Sequence, residues 1–238
     1  MTIFYFTATG NSLDIAKRLG AHFGAVLRSI PQADTATDYT DDVIGVVFPV
    51  YAWNIPAIVT RFLKRVTLTA QYKFAVAAHG GEPGEIGGIL TKIAAFDNVF
   101  TVGTWSNYLP FNNDVPPVAV DVVPELTQIV RKIEAREKRI FELGNAEPFD
   151  AAPWAGMALE YNWRDNCNAC GVCSRVCPVG NCKPVHKFAS HCEGCMACLQ
   201  NCPEAALFMP GEPTRYRYRN PNVTTDEIIA ANEQTAVL

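Results

Sequence analysis

Apolar runs and stretches of helical periodicity alternate through the first 145 residues. Residues 3–6 form a short apolar run, followed by a polar, glycine-containing turn and then Ala16, Leu19 and Phe23 at helical spacing. Residues 43–50 (VIGVVFPV) are an apolar, β-branched run, the pattern of a strand buried on both faces. Pro56 stands where a helix's first turn tolerates it, with Ile58, Val59, Phe62, Leu63 and Val66 forming one face behind it. Residues 73–78 (KFAVAA) read as the next strand, followed by Gly80, Gly81 and a helix carrying Ile86, Ile89, Leu90 and Ile93. Residues 98–102 read as another strand. A long amphipathic helix is predicted from Pro124 to Gly144, with Leu126, Ile129, Val130, Ile133, Ile140 and Leu143 inward. With a weaker strand at residues 26–30, five strands separated by helices predict an α/β fold, a doubly wound parallel sheet covered on both faces.

The pattern then changes. Residues 146–160 contain two prolines and no period, and read as a connector. Residues 161–210 are cysteine-rich, and 211–238 form a tail in which Arg215, Arg217 and Arg219 alternate with Tyr216 and Tyr218. These arginines are expected to pack on the cysteine-rich part, to line a docking surface for an acidic partner, or to form the solvated face of an edge strand. Thr224 with Glu227 three residues on is a capping-box signature, predicting a short helix over 226–232.

Composition narrows the class. At 238 residues, the chain suits one large or two small domains, and 49% hydrophobic against 18% charged residues supports a core rather than disorder. A net charge of -4 argues against nucleic acid as the main partner. The first residues show no signal-peptide pattern, and no apolar run reaches the roughly 18 residues of a membrane span, so a soluble, cytoplasmic protein is expected.

Nine cysteines carry the strongest signal, and none precedes residue 167. Such clustering argues for metal ligation over a disulfide framework. Cys167-x2-Cys170-x2-Cys173-x3-Cys177-Pro178 recurs as Cys192-x2-Cys195-x2-Cys198-x3-Cys202-Pro203. Three cysteines at this spacing wrap three corners of an iron–sulfur cubane, and in two-cluster ferredoxins the fourth corner comes from the other motif's last cysteine. One [4Fe–4S] cluster is thus assigned to Cys167, Cys170, Cys173 and Cys202, the other to Cys192, Cys195, Cys198 and Cys177. Zinc ribbons also use C-x2-C pairs, but a third cysteine would then stand idle in both halves. Cys182 lies outside both sets, as a small buried residue or an alternative ligand; His186 and His191 read as surface or packing residues.

A second motif, Thr7-Ala8-Thr9-Gly10-Asn11-Ser12, falls between the first strand and first helix. Backbone N–H groups at a helix start, joined by Thr and Ser hydroxyls, make a phosphate cradle without a basic side chain, and Gly10 lets the backbone approach the anion. No Gly-Lys-Ser/Thr ending and no G-x-G-x-x-G after a strand are present, which favours a single phosphomonoester over a triphosphate or a dinucleotide. The other strand ends supply Pro49, Val50, Tyr51, Ala52 and Trp53, then His79, Gly80 and Gly81, then Trp105, Asn107 and Tyr108. Their aromatic rings can stack on a flat heterocycle or simply cover the sheet edge.

On the T-x-T-G-N-S loop, the first part of the chain resembles a short-chain flavodoxin; on the duplicated cysteine motif, residues 160–210 resemble a bacterial two-cluster ferredoxin. The whole resembles the flavodoxin–ferredoxin fusion proteins of anaerobic bacteria. This resemblance implies FMN, two [4Fe–4S] clusters and a flavodoxin-like five-stranded sheet followed by a small α+β ferredoxin-like domain. Flavodoxins often sandwich the flavin between two aromatic residues; here His79 stands where one is expected, and Tyr108 is the substitute. The function expected is electron relay between FMN and the clusters, as a low-potential carrier to a redox partner such as a ferredoxin or a reductase. An FMN-dependent reductase of a small molecule and a non-catalytic redox sensor are the alternatives.

Overall fold

Strong β-branched and aromatic runs place five strands side by side: β1 (Thr2–Tyr5), β2 (Val26–Ser29), β3 (Val43–Pro49), β4 (Tyr72–His79) and β5 (Asn98–Gly103). The computed structural model describes residues 1–111, 116–184 and 186–233. All four strand pairings are parallel, in the order β2-β1-β3-β4-β5. That is the strand order of a flavodoxin-like sheet, whose switch point lies between β1 and β3. The central β3 and β4 are buried along nearly their whole length, which is why they read as continuous apolar runs rather than alternating ones.

Helices cover both faces. On one side α1 (Asn11–Phe23) and α4 (Val123–Glu134) pack over Ile3, Val47, Phe74 and Val102. On the other, α2 (Ala57–Arg65) and α3 (Ile86–Thr91) cover Phe4, Val46, Phe48 and Ala77. Gly45 lets this packing close: a Cβ there would stand 2.4 Å from the Phe74 ring.

The last helix of the sheet unit is shorter than its periodicity predicts. It ends at Glu134, not Gly144, and Ile140 and Leu143 are 96% and 73% exposed rather than inward. The Glu137 carbonyl accepts hydrogen bonds from the Tyr72 hydroxyl at 2.8 Å and the Asn98 amide at 2.9 Å, while the Arg139 N–H is taken by the Asp97 carbonyl. These tertiary bonds draw the backbone onto the ends of β4 and β5, and Arg136 turns left-handed (φ 48°) to allow it.

The cysteine-rich part contains two short antiparallel pairs. These are β6 (Asn162–Trp163) with β9 (Leu207–Phe208), and β7 (Cys182–Lys183) with β8 (Lys187–Phe188). Single-turn helices α5 (Val172–Arg175) and α6 (Ala197–Gln200) lie against each other, over a small core of Leu109, Tyr161, Met196, Leu199 and Leu207. The tail then returns to the sheet unit, ending in α7 (Thr225–Asn232) with the predicted capping box in place. Val223 and Ile228 join the sheet unit's own core.

No strand forms among the described residues of 211–223. Arg217 is turned inward, pairing with buried Glu212 at 2.8 Å, and Arg219 is bonded within the tail to the Val223 carbonyl and Thr225 hydroxyl. Arg215 is exposed. Among the described residues, no helix is long and apolar enough to cross a membrane.

Candidate functional site

The carboxyl ends of β1, β3, β4 and β5 open onto one cleft of about 400 Å³. Four loops line it. Thr7, Ala8, Thr9, Asn11 and Ser12 come from the first; Pro49, Val50, Tyr51, Ala52 and Trp53 from the second; His79, Gly80 and Gly81 from the third; Asn107 and Tyr108 from the fourth. Gly10, between Thr9 and Asn11 in the first loop, does not itself line the cleft. It is buried behind the loop, with φ 97°, and a Cβ there would stand 2.9 Å from Val223 Cβ and 3.0 Å from Asn220 Cβ. Its missing side chain makes room for the tail.

The first loop has the form of an anion cradle. The Gly10 N–H donates to Thr7 Oγ1 at 3.1 Å, and α1 starts at Asn11, so its unpaired N–H groups face the loop. Ser12 Oγ is buried in the cleft wall with no hydrogen-bond partner among the described residues. A buried hydroxyl left so is costly unless a ligand completes it. No Lys or Arg is among the described residues that line the cleft. The donors present are neutral, and they fit a phosphomonoester.

Beyond the cradle the cleft becomes aromatic. Tyr51 N–H and Asn54 N–H each bond the other's carbonyl at 3.0 Å, closing a tight turn with Ala52 (φ 47°) and Trp53 (φ 58°) at its centre. Both φ values are left-handed, where Asn or Gly is preferred, so the turn carries strain of roughly 1–3 kcal/mol per residue. The turn leaves Trp53 60% exposed at the cleft mouth while Tyr51 is buried against Phe6. Burial, then the charges of Cys195 and Glu193, push the Tyr51 phenol well above its ordinary pKa, so it remains protonated. Tyr51 Oη and Trp105 Nε1 are further buried polar atoms without partners among the described residues, and both residues line the cleft, as a ring system with polar edges requires. His79 Nδ1 is hydrogen-bonded to the Gly81 carbonyl, which curls that loop, and Gly80 backs directly onto Ser106, 2.5 Å from where its Cβ would lie.

Sequence reasoning missed the cleft's opposite wall. Trp154 and Met157 come from the segment read as a connector, and Gly194 and Met196 flank Cys195 in the second cysteine motif. Trp154 Nε1 donates to the Glu193 carbonyl at 2.8 Å, its indole lying in the space left open by Gly194. Asn107 Nδ2 donates to the Cys195 carbonyl at 3.3 Å, and Gln200 Nε2 to the Asn107 carbonyl at 2.6 Å, tying the β5 loop to α6. A tryptophan among prolines was the one local hint.

The duplicated cysteine motif is duplicated in its backbone as well. Left-handed residues flank the second cysteine in each half, Ala169 and Gly171 around Cys170, Gly194 and Met196 around Cys195. Another follows the fourth cysteine at the same offset, Gly180 in one half and Ala205 in the other. One residue on, an N–H donates to that cysteine's sulfur: Asn181 to Cys177 Sγ at 3.1 Å, Ala206 to Cys202 Sγ at 3.3 Å. Such turns curl successive N–H groups around an anionic centre, and N–H bonds to sulfur are a recognised feature of iron–sulfur sites.

Cys177, Cys192, Cys195 and Cys198, together with Cys182, line one small cavity. Burial, then the neighbouring thiols, raise Cys192, Cys195 and Cys198 above the ordinary thiol range. Cys167, Cys173 and Cys202 are half-buried and Cys170 is exposed. Cys182 is buried and hydrogen-bonded to Cys173, which lowers the Cys173 pKa against the effect of its burial. His186, read as a surface or packing residue, is exposed, stacked on Trp163 at 4.4 Å, with Nε2 3.2 Å from Cys167 Sγ. All nine cysteines are free, and among the described residues no three His, Cys, Asp or Glu side chains are arranged to hold a metal ion. Each thiolate of a cubane binds a different iron, a wider spacing than the ligands of one ion require.

No family model matches the chain, and no curated protein does. Solved structures that resemble part of it include the following two. A candidate flavoprotein from Bacteroides uniformis is 15% identical with a TM-score of 0.35, covering 44% of this chain and 91% of its own. A candidate flavoprotein from Bacteroides eggerthii is 18% identical with a TM-score of 0.34, covering 42% of this chain and 86% of its own.

Proposed function

We propose that the chain is an electron-transfer protein that holds FMN in the cleft and two [4Fe–4S] clusters in its cysteine-rich part, passing electrons between them and a redox partner protein. The observation that carries this reading is that Gly194 and Met196, on either side of Cys195, share a cleft with the phosphate-loop residues and the strand-end aromatics. FMN exchanges one or two electrons and each cluster one, so the protein's part is positioning and tuning.

The residues divide that work. The Thr7–Ser12 loop holds the phosphate, while Tyr51, Trp53, Trp105 and Tyr108 surround the ring system. Cys177, Cys192, Cys195 and Cys198 hold the cluster nearer the flavin. Cys167, Cys170, Cys173 and Cys202 hold the outer one, which reaches the surface at exposed Cys170. Trp154 and Met157 keep water from the space between cleft and inner cysteines. The bonds from Asn107 to Cys195 and from Gln200 to Asn107 fix the separation, so electron transfer needs no domain movement.

The test is an anaerobic ultraviolet–visible spectrum with iron, sulfide and flavin quantified after acid release. About eight irons, eight sulfides and one FMN per chain are expected from two cubanes and one cleft. Zinc in place of iron, or clusters with no flavin retained after FMN is added, overturns the relay.

A further inference from the structure

Three successive carbonyls of the phosphate loop are held from the far end of the chain. Thr7 O accepts from Asn232 Nδ2 at 2.9 Å, Ala8 O from Asn201 Nδ2 at 3.1 Å, and Thr9 O from the backbone N–H of Asn220 at 2.8 Å. Asn220 Nδ2 also donates to Asn11 Oδ1 at 3.1 Å, beside the Tyr218 hydroxyl at 2.6 Å. All three asparagines are buried, at 0%, 4% and 9% exposure for Asn232, Asn201 and Asn220.

In a planar trans peptide, the C=O of one residue and the N–H of the next point in opposite directions, and no peptide here is cis. Drawing the Thr7 and Ala8 carbonyls back onto the asparagines therefore turns the Ala8 and Thr9 N–H groups the other way. Since Thr7, Ala8 and Thr9 line the cleft, those N–H groups are presented to the anion. Asn201 is anchored from α6, where Nδ2 also meets the Ala197 carbonyl at 2.9 Å, and Asn232 also binds the Val176 carbonyl at 3.2 Å. Both thus bridge the cradle to the cysteine-rich part.

We infer that Asn201 and Asn232 are positioning residues that, with the backbone N–H of Asn220, set the phosphate cradle from behind, and so determine selectivity for the phosphorylated flavin over the unphosphorylated one. The inference rests on the proposed flavin site. Its consequence is specific: losing an asparagine should weaken the phosphate's contribution and spare the ring's.

The test titrates FMN and riboflavin into the flavin-depleted, full-length protein, followed by flavin fluorescence. Asn201→Ala and Asn232→Ala, with the near-isosteric Asn201→Leu and Asn232→Leu, are compared with the unaltered chain, and iron content and circular dichroism identify any variant that has not folded. The leucine variants fill the vacated space while removing the donor, so they report even if the alanine variants fail to fold. Each folded variant should bind FMN about tenfold more weakly, with riboflavin affinity within about twofold of the original, as loss of one hydrogen bond behind the cradle implies. Equal weakening of both flavins, or no weakening of FMN, overturns the inference. An unaltered chain that binds both equally overturns it while leaving the flavin site standing; one that binds neither overturns the flavin site itself.

Discussion

Glu193 Oε2, inside the second C-x2-C loop, accepts the backbone N–H of Ile58 in the first turn of α2 at 3.0 Å. Its other oxygen takes the Arg61 guanidinium, one turn further along that helix. No side chain of the helix's own N-cap, Pro56, serves this end. The cysteine loop therefore supplies the cap, placing a carboxylate where the helix dipole favours one. Glu193 is 4% exposed, so the pair is buried on its acidic side.

Removing either partner of that pair should have unequal effects. Arg61→Ala strands a buried carboxylate and should cost about 3 kcal/mol, whereas Glu193→Gln keeps an acceptor for Ile58 and should cost about 1 kcal/mol. Urea unfolding of the intact protein measures both. A larger loss for Glu193→Gln than for Arg61→Ala would contradict the arrangement.

Gly194→Ala should expel Trp154. Its Cβ would fall 1.7 Å from the indole Nε1, at a residue with φ 66°, so the bond from Trp154 to the Glu193 carbonyl must break. Destabilisation above about 2 kcal/mol is expected from overpacking plus left-handed strain. In a double-mutant cycle, adding Trp154→Ala should recover part of it. Strict additivity would mean that the two residues do not compete for one space.

Acid should loosen α7. Glu227 is held down from its ordinary 4.5 to about 2 by the Lys17 ammonium and the Thr224 N–H. A carboxyl with a lowered folded pKa stabilises most when ionised, and its contribution fades as pH falls from about 4.5 to about 2. Resonance shifts of α7 amides should follow that window, and Glu227→Gln should abolish this component. An unchanged titration in the variant would place the effect elsewhere.

On the proposed cofactor content, Cys195→Ser should lower iron from about eight to about four per chain, and Cys170→Ser should do the same through the outer cluster. Their effects on the flavin should differ. Only Cys195→Ser removes a ligand beside the cleft, so it should slow reductant-driven bleaching of the flavin more than Cys170→Ser does. Equal slowing would count against the inner position of Cys195.

Much of this architecture was legible one segment at a time. Buried parallel strands announce themselves as runs such as residues 43–50, because both faces must be apolar. The duplicated cysteines carry their spacing in the covalent chain, and the matched left-handed turns follow from it. The turn after β1 was legible for the same reason, its Thr, Gly and Ser being residues that a turn into a helix favours.

Tertiary structure decided what lies between those segments. Asn201, Asn220 and Asn232 look in sequence like ordinary turn or helix-end residues, and only folding brings their amides to carbonyls some two hundred positions earlier. The periodicity through Leu143 was real, yet bonds from Tyr72 and Asn98 to the Glu137 carbonyl outweighed helix propensity that nothing at Ile140 buries. Trp154 carried no period at all, and its place depends on a glycine in the other unit. Sequence by itself determined the elements whose signals are local, the strands, the cysteine loops and the turn after β1. Which surfaces meet to enclose the cleft is a sum of long-range contacts, each too weak to mark the sequence, and only the assembled fold adds them together.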